Sequence, residues 1–150
     1  GSEMCIRDRY ATAQTNMQRL AIRNNIDVSQ VQITNGNSWT HCTSGTNCLW
    51  APEGGDVTYH PDFPAGVRSG TNDSLIDSYA GSSNVSGFTN TVWIILYGID
   101  ADFCAAYQDY LKLGPPGATQ NVYPGEYTAC YFHSSSNTYA IYFVLYGEKT

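Results

Sequence analysis

Charge is scarce in this chain. Charged residues make up 13% of it, about half the usual share. Only 7 Lys and Arg stand against 13 Asp and Glu, for a formal net charge of −6. Nucleic acid is held by clustered cations, and these few are scattered, so no nucleic-acid partner is expected. Apolar runs are short as well, and none reaches the roughly 18 residues of a membrane-crossing helix. A basic start followed by an apolar centre, the pattern of a signal peptide, is missing. So are the G-x-S-x-G elbow, the H-E-x-x-H motif and the phosphate-binding glycine loop. The 3 histidines, His41, His60 and His133, form no recognisable nucleophile–base arrangement. Acidic residues are dispersed, with no pair that stands out as acid and base. The chain is therefore read as non-enzymatic and cofactor-free.

What is present is aromatic and small. There are 12 Tyr, 3 Trp and 14 Gly in 150 residues, a length that fits one domain. The aromatic and β-branched content is too high for disorder. Low charge with abundant Tyr, Ser, Thr, Asn and Gly suits a secreted or surface-exposed β-rich domain.

Gly1–Arg9, GSEMCIRDR, resembles the translation of a transposase-type sequencing adapter, a contaminant of assembled metagenomic reads. Residues 1–9 are accordingly expected to be non-native, with residues 10–150 forming a single globular domain. The native sequence before Tyr10, with any leader or membrane segment, is then expected to be missing. Setting Cys5 aside leaves Cys42, Cys48, Cys104 and Cys130. Three pairings are possible, and Cys42–Cys48 with Cys104–Cys130 is favoured. The first closes a short polar loop. The second ties a helix to a strand across a long loop, where cross-linking the unfolded chain is worth about 3 kcal/mol. Such bonds imply an oxidising compartment. The alternative is zinc on Cys42, Cys48 and either His41 or His60, although the spacing fits no usual paired-cysteine pattern.

Hydrophobic periodicity supplies the elements. Tyr10–Asn25 reads as a helix with Ala13, Met17, Leu20, Ala21 and Asn24 on one stripe, and Asn24 and Asn25 as terminators. Ile26–Ile33 reads as a turn with a possible edge strand. Residues 34–55 read as loop, anchored by Trp39, Leu49 and Trp50. These three are expected to cover the sheet; the functional alternative is a sugar-stacking platform. Asp56–His60 alternates like a short strand. A helical turn is expected near Asn72–Tyr79, and Asp73 and Asp77 are weak calcium candidates there, since hard cations want oxygen ligands.

Thr89–Ile99 is the strongest strand. Trp93, Ile95, Tyr97 and Ile99 are expected on one face and Val92, Ile94 and Leu96 on the other. Both faces are apolar, so the strand is central and covered on both sides. A second short helix follows near residues 100–113. Asp100 is its N-cap, Phe103, Cys104, Tyr107, Tyr110 and Leu111 its buried face, and Gly114-Pro115-Pro116 its stop. Glu126–His133 and Asn137–Tyr146 then form a hairpin. The fold class is α+β: a helix packed on an antiparallel sheet of about four strands.

Three stretches carry a resemblance. A truncated helix, Tyr10–Asn25, precedes the globular part. IILYGIDADFCAAYQDYL passes from strand through a turn into a cysteine-bearing helix. CYFHSSSNTYAIYFVLYG supplies a closing cysteine and a final strand. Together they resemble the head of a bacterial type IV pilin of the type IVb kind, or of a related pseudopilin. The resemblance implies a filament subunit or assembly component, with Cys104–Cys130 bounding its C-terminal region. It implies other pilin subunits as partners, and contact with the inner membrane only through the missing apolar helix. It also implies an extracellular filament or cell-surface location, or the periplasmic side of the inner membrane before assembly. The other reading is a secreted aromatic-rich module that binds carbohydrate or another ligand.

Overall fold

The protein, seen as a computed structural model, is described at residues 2–37, 39–59, 63–69, 73–78 and 85–150. Its elements in chain order are α1 (Ser2–Asn24), a short 3-10 turn (Val28–Gln30), β1 (Asp73–Ser78), β2 (Phe88–Ile99), α2 (Ala101–Tyr110), β3 (Thr128–His133) and β4 (Thr138–Lys149). Among the described residues the strands make one antiparallel sheet of four, in the order β1-β2-β4-β3. The expected α+β class is thus the observed one.

The stripe on α1 is Ile6, Tyr10, Ala13, Met17, Leu20 and Ala21, all buried. Steps of three and four residues keep it on one side of the helix. It lies on the sheet, where the Tyr10 and Phe143 rings are 5.3 Å apart. The helix starts at Ser2, earlier than the expected Tyr10, because Ile6 sits one turn before Tyr10 and extends the same stripe. It ends as expected: Asn25 is left-handed (φ 54°). The Ile26 N–H then donates back to the Ala21 carbonyl at 3.0 Å.

Two expected elements differ. Residues 73–78 are a strand in register with β2, from Asp73↔Leu96 to Ser78↔Thr91, where a helical turn was expected. Pairing with a long apolar strand outweighs the weak local preference of DSLIDS. Asn72 and Tyr79, the two ends of that expected turn, lie outside the described residues. Residues 56–59 are irregular where a strand was expected. There the Val57 N–H donates to the Leu49 carbonyl within the loop.

β2 splits the interior into two cores. Val92, Ile94 and Leu96 join α1, α2, Ile141, Phe143 and Leu145 on one face. Trp93 and Ile95 join Phe88, Tyr131, Tyr142 and Val144 on the other. Ile99 departs from the expected alternation and lies on the helix side. The cause is a bulge: Gly98 takes φ 71°, and the register slips between Tyr97 and Ile99. One inserted residue reverses which way the next side chain points.

On α2, Phe103, Cys104 and Tyr107 are buried as expected, Tyr110 and Leu111 only half so, and Gln108 is buried instead. Asp100 holds the N-cap position without capping through its side chain, which accepts from the Ser69 hydroxyl. The stop precedes Gly114: Lys112 is left-handed (φ 59°), with Leu113 N–H to the Gln108 carbonyl at 3.0 Å.

The face away from the helices is covered by coil, with Leu113 and Tyr123 packed on it. Gly87 and Gly125 meet there, where Gly125 N–H donates to the Ser86 carbonyl at 2.9 Å. A Cβ on Gly87 (φ +88°) would come within 2.3 Å of the Gly125 nitrogen, whereas one on Gly125 (φ +80°) would meet nothing within 4 Å. Gly125→Ala should therefore cost only the left-handed penalty, about 1–2 kcal/mol. Gly87→Ala adds a backbone clash and should cost about 3 kcal/mol. Urea midpoints of the two variants check the ordering, and equal losses would refute the close approach.

Candidate functional site

The cysteines expected to pair do so. Cys42–Cys48 closes a six-residue separation and Cys104–Cys130 a separation of 26. Bonded sulfurs offer no thiolate, so Cys42 and Cys48 cannot form the alternative zinc site. His60 lies outside the described residues, and His41 stacks on Tyr59 with ring centroids 3.9 Å apart. Cys5 is exposed and unpaired.

Cys104–Cys130 holds α2 against β3, and Gln108 reinforces it. The Gln108 Oε1 accepts from the Cys130 N–H at 2.6 Å, and its Nε2 donates to the Gly114 carbonyl at 2.9 Å. Sequence reading passed over Gln108. Its signal is a polar residue one turn after Cys104 on an otherwise apolar face. Beside it the Tyr107 hydroxyl meets Thr128 Oγ1 at 2.8 Å, and Thr128 donates onward to the Tyr142 carbonyl. Burial pushes the Tyr107 phenol well above its usual range.

Asp73 sits in a buried polar cluster. Its carboxylate pairs with Arg68 at 2.9 Å and accepts from the Tyr59 hydroxyl at 2.7 Å. Both members of the ion pair are nearly inaccessible, at 3% and 4% side-chain exposure. Arg68 also donates to the Tyr97 carbonyl at 2.7 Å, beside the bulge. The cluster fastens the segment around Arg68 to the end of β2 and so shapes the ground near Tyr97. Burial and the Asp73 charge push the Tyr59 phenol up. The other calcium candidate, Asp77, stands four residues along the same strand, about 13 Å away at a strand's rise per residue. Its side chain lies outside the described residues, and among those residues no group of His, Cys, Asp and Glu is arranged to hold a metal.

The three loop anchors divide. Leu49 and Trp50 are buried as expected, and the Trp50 indole donates to the Ile33 carbonyl at 2.9 Å. Trp39 is not a cover for the sheet: it is 63% exposed. It forms one wall of an open cleft of about 210 Å³ with Tyr97, His133, Ser135 and Ser136. The Trp39 and Tyr97 rings are 6.3 Å apart at 40°, and Tyr97 and His133 are 4.8 Å apart at 58°. His133 Nδ1 lies 2.8 Å from Ser136 Oγ and 3.3 Å from the Ser136 backbone nitrogen, so the turn holds the ring from one edge. These residues come from a loop, the end of β2 and the β3–β4 turn, too far apart in sequence to be grouped by reading it.

No protein family, curated protein or solved structure matches the chain.

Two outcomes are expected for the buried cluster. Arg68→Met should cost about 3–5 kcal/mol, because it strands a buried carboxylate, and adding Asp73→Leu should restore part of that loss. A urea double-mutant cycle checks this, and additive losses would refute the coupling. Burial, opposed by Asp73, holds His41 below its usual 6.5. Folding then favours neutral His41, so this contribution is complete above pH 6.5 and declines as pH falls below it. Proton NMR of the His41 ring should place its midpoint under 6.5 in the folded protein; a midpoint at or above that value would refute the shift.

Proposed function

We infer that the chain is the globular head of a type IV pilin-like subunit, either a structural subunit or an assembly component of a type IV pilus or type II secretion pseudopilus. The observation that carries this reading is the joint placement of α1 and the Cys104–Cys130 bond. From Tyr10 onward, α1 lies with its apolar stripe along one face of an antiparallel sheet. On the same face the disulfide fastens α2 to β3, and β4 closes the sheet between β2 and β3. Two disulfides also fit a protein that matures outside the reducing cytosol.

In this reading the head is structural. The native sequence before Tyr10 supplies an apolar extension of α1, which anchors the precursor in the inner membrane and later packs in the filament. Other subunits are the partners. Ile22, 81% exposed, leaves apolar surface on the outward side of α1, next to Ile26, Val28 and Tyr146, where a neighbouring subunit can pack.

The decisive experiment is to read the source DNA upstream of codon 10. A short leader, a prepilin-type cleavage site and an uninterrupted apolar helix running into Tyr10 is the expected result. An upstream frame without a cleavable apolar helix would sink the proposal.

A further inference from the structure

We propose that the cleft between Trp39, Tyr97 and the β3–β4 turn binds one neutral sugar ring of an oligosaccharide. The proposal does not depend on the filament reading, since it rests on side chains of the head alone.

A single exposed indole needs no explanation on a protein surface. Trp39 is different because it faces a second ring and then a third. Tyr97 stands 6.3 Å from it at 40°, and His133 stands 4.8 Å beyond at 58°. Rings at these angles do not stack on one another. They pack at a tilt, and the indole of Trp39, 63% exposed, keeps a face open to a flat, partly apolar guest. A pyranose ring has such a face, made of C–H groups, with hydroxyls around its rim.

The rim of the cleft suits those hydroxyls. Ser135 and Ser136 can each donate and accept. His133 Nε2 lies 3.4 Å from the Ser135 hydroxyl, and a sugar hydroxyl, which both donates and accepts, can replace or join that contact. The charge of the site selects further. No Lys, Arg, Asp or Glu is among its described lining residues. A phosphate or an acidic peptide would therefore lack a counter-charge, and a basic ligand would find no carboxylate. A volume of about 210 Å³ holds one ring rather than a chain, so the remaining sugar units lie in solvent.

The site is also held in shape. Tyr97 belongs to the central strand, and its carbonyl is fixed by Arg68 at 2.7 Å. His133 closes β3 and is pinned by the Ser136 N–H. Trp39 has its own N–H bound to Asn37 Oδ1 at 2.9 Å. Preorganised walls lower the ordering cost of binding.

The test uses the whole chain labelled with ¹⁵N and the indole N–H signals of its 3 Trp. Cellotetraose, chitotetraose, mannotetraose and galactotetraose are titrated separately. At least one should move the Trp39 signal saturably while leaving those of buried Trp50 and Trp93 in place. Trp39→Ala, which removes an exposed side chain, should weaken that binding by about tenfold or more, followed by calorimetry. Trp39→Tyr should retain most of it. Three outcomes would overturn the proposal. The first is that no sugar moves the Trp39 signal. The second is unchanged affinity in Trp39→Ala, which places the sugar elsewhere. The third is a Trp39 signal that shifts with protein concentration and not with sugar, which makes a second copy of the chain the occupant.

Discussion

The structure depends on a strand that is apolar on both faces. β2 carries Val92, Ile94 and Leu96 toward the helices and Trp93 and Ile95 away from them. Neither set can be left in water, since each large apolar side chain gains about 1.5–3 kcal/mol on burial. A single sheet then needs two covers. β4 doubles the requirement, because Ile141 and Phe143 alternate with Tyr142 and Val144 in register beside β2. Helices α1 and α2 meet the need on one side. The other side is met by coil, which has no internal ladder and must be fastened at separate points.

Those fastenings account for most of the conspicuous residues. The Gly87–Gly125 approach brings one coil segment against another. Gln108 bonds both the Gly114 carbonyl and the Cys130 N–H, so one buried side chain holds the start of the coil and the strand beside it. The Phe132 N–H donates to the Gly117 carbonyl, which covers the outer edge of β3. An edge so covered is not free to pair with another chain. At the opposite edge the buried Arg68–Asp73 pair joins β1 to the bulged end of β2. Buried ion pairs add little net stability but penalise any arrangement that separates them.

The exposed cleft follows from the same constraints. Gly98 lets β2 bulge, so Ile99 turns to the helix side while Tyr97 stays on the far side at the sheet's end. The β3–β4 turn brings His133, Ser135 and Ser136 beside it. Trp39 then arrives from a loop stiffened by the Cys42–Cys48 bond and by Trp50 beneath it. Its surroundings are set by elements that serve the core.

By itself the sequence determined whatever depends on neighbours along the chain. The stripe on α1, the Asn25 terminator, the two-faced apolar strands, the cysteine-bearing helix and the four-cysteine framework all rest on short-range periodicity or on residue chemistry. The tertiary structure decided the rest. DSLIDS became a strand because β2 lay beside it. Gln108 was buried because Cys130 and Gly114 offered it partners. Ile99 changed faces because one glycine adopted a conformation open to few other residues. Asp73 met Arg68, and Trp39 met Tyr97 and His133, across separations that no local pattern encodes. Pairing between strands, burial of polar groups and convergence of side chains all need a partner from elsewhere in the chain, and that partner is present only once the chain has folded.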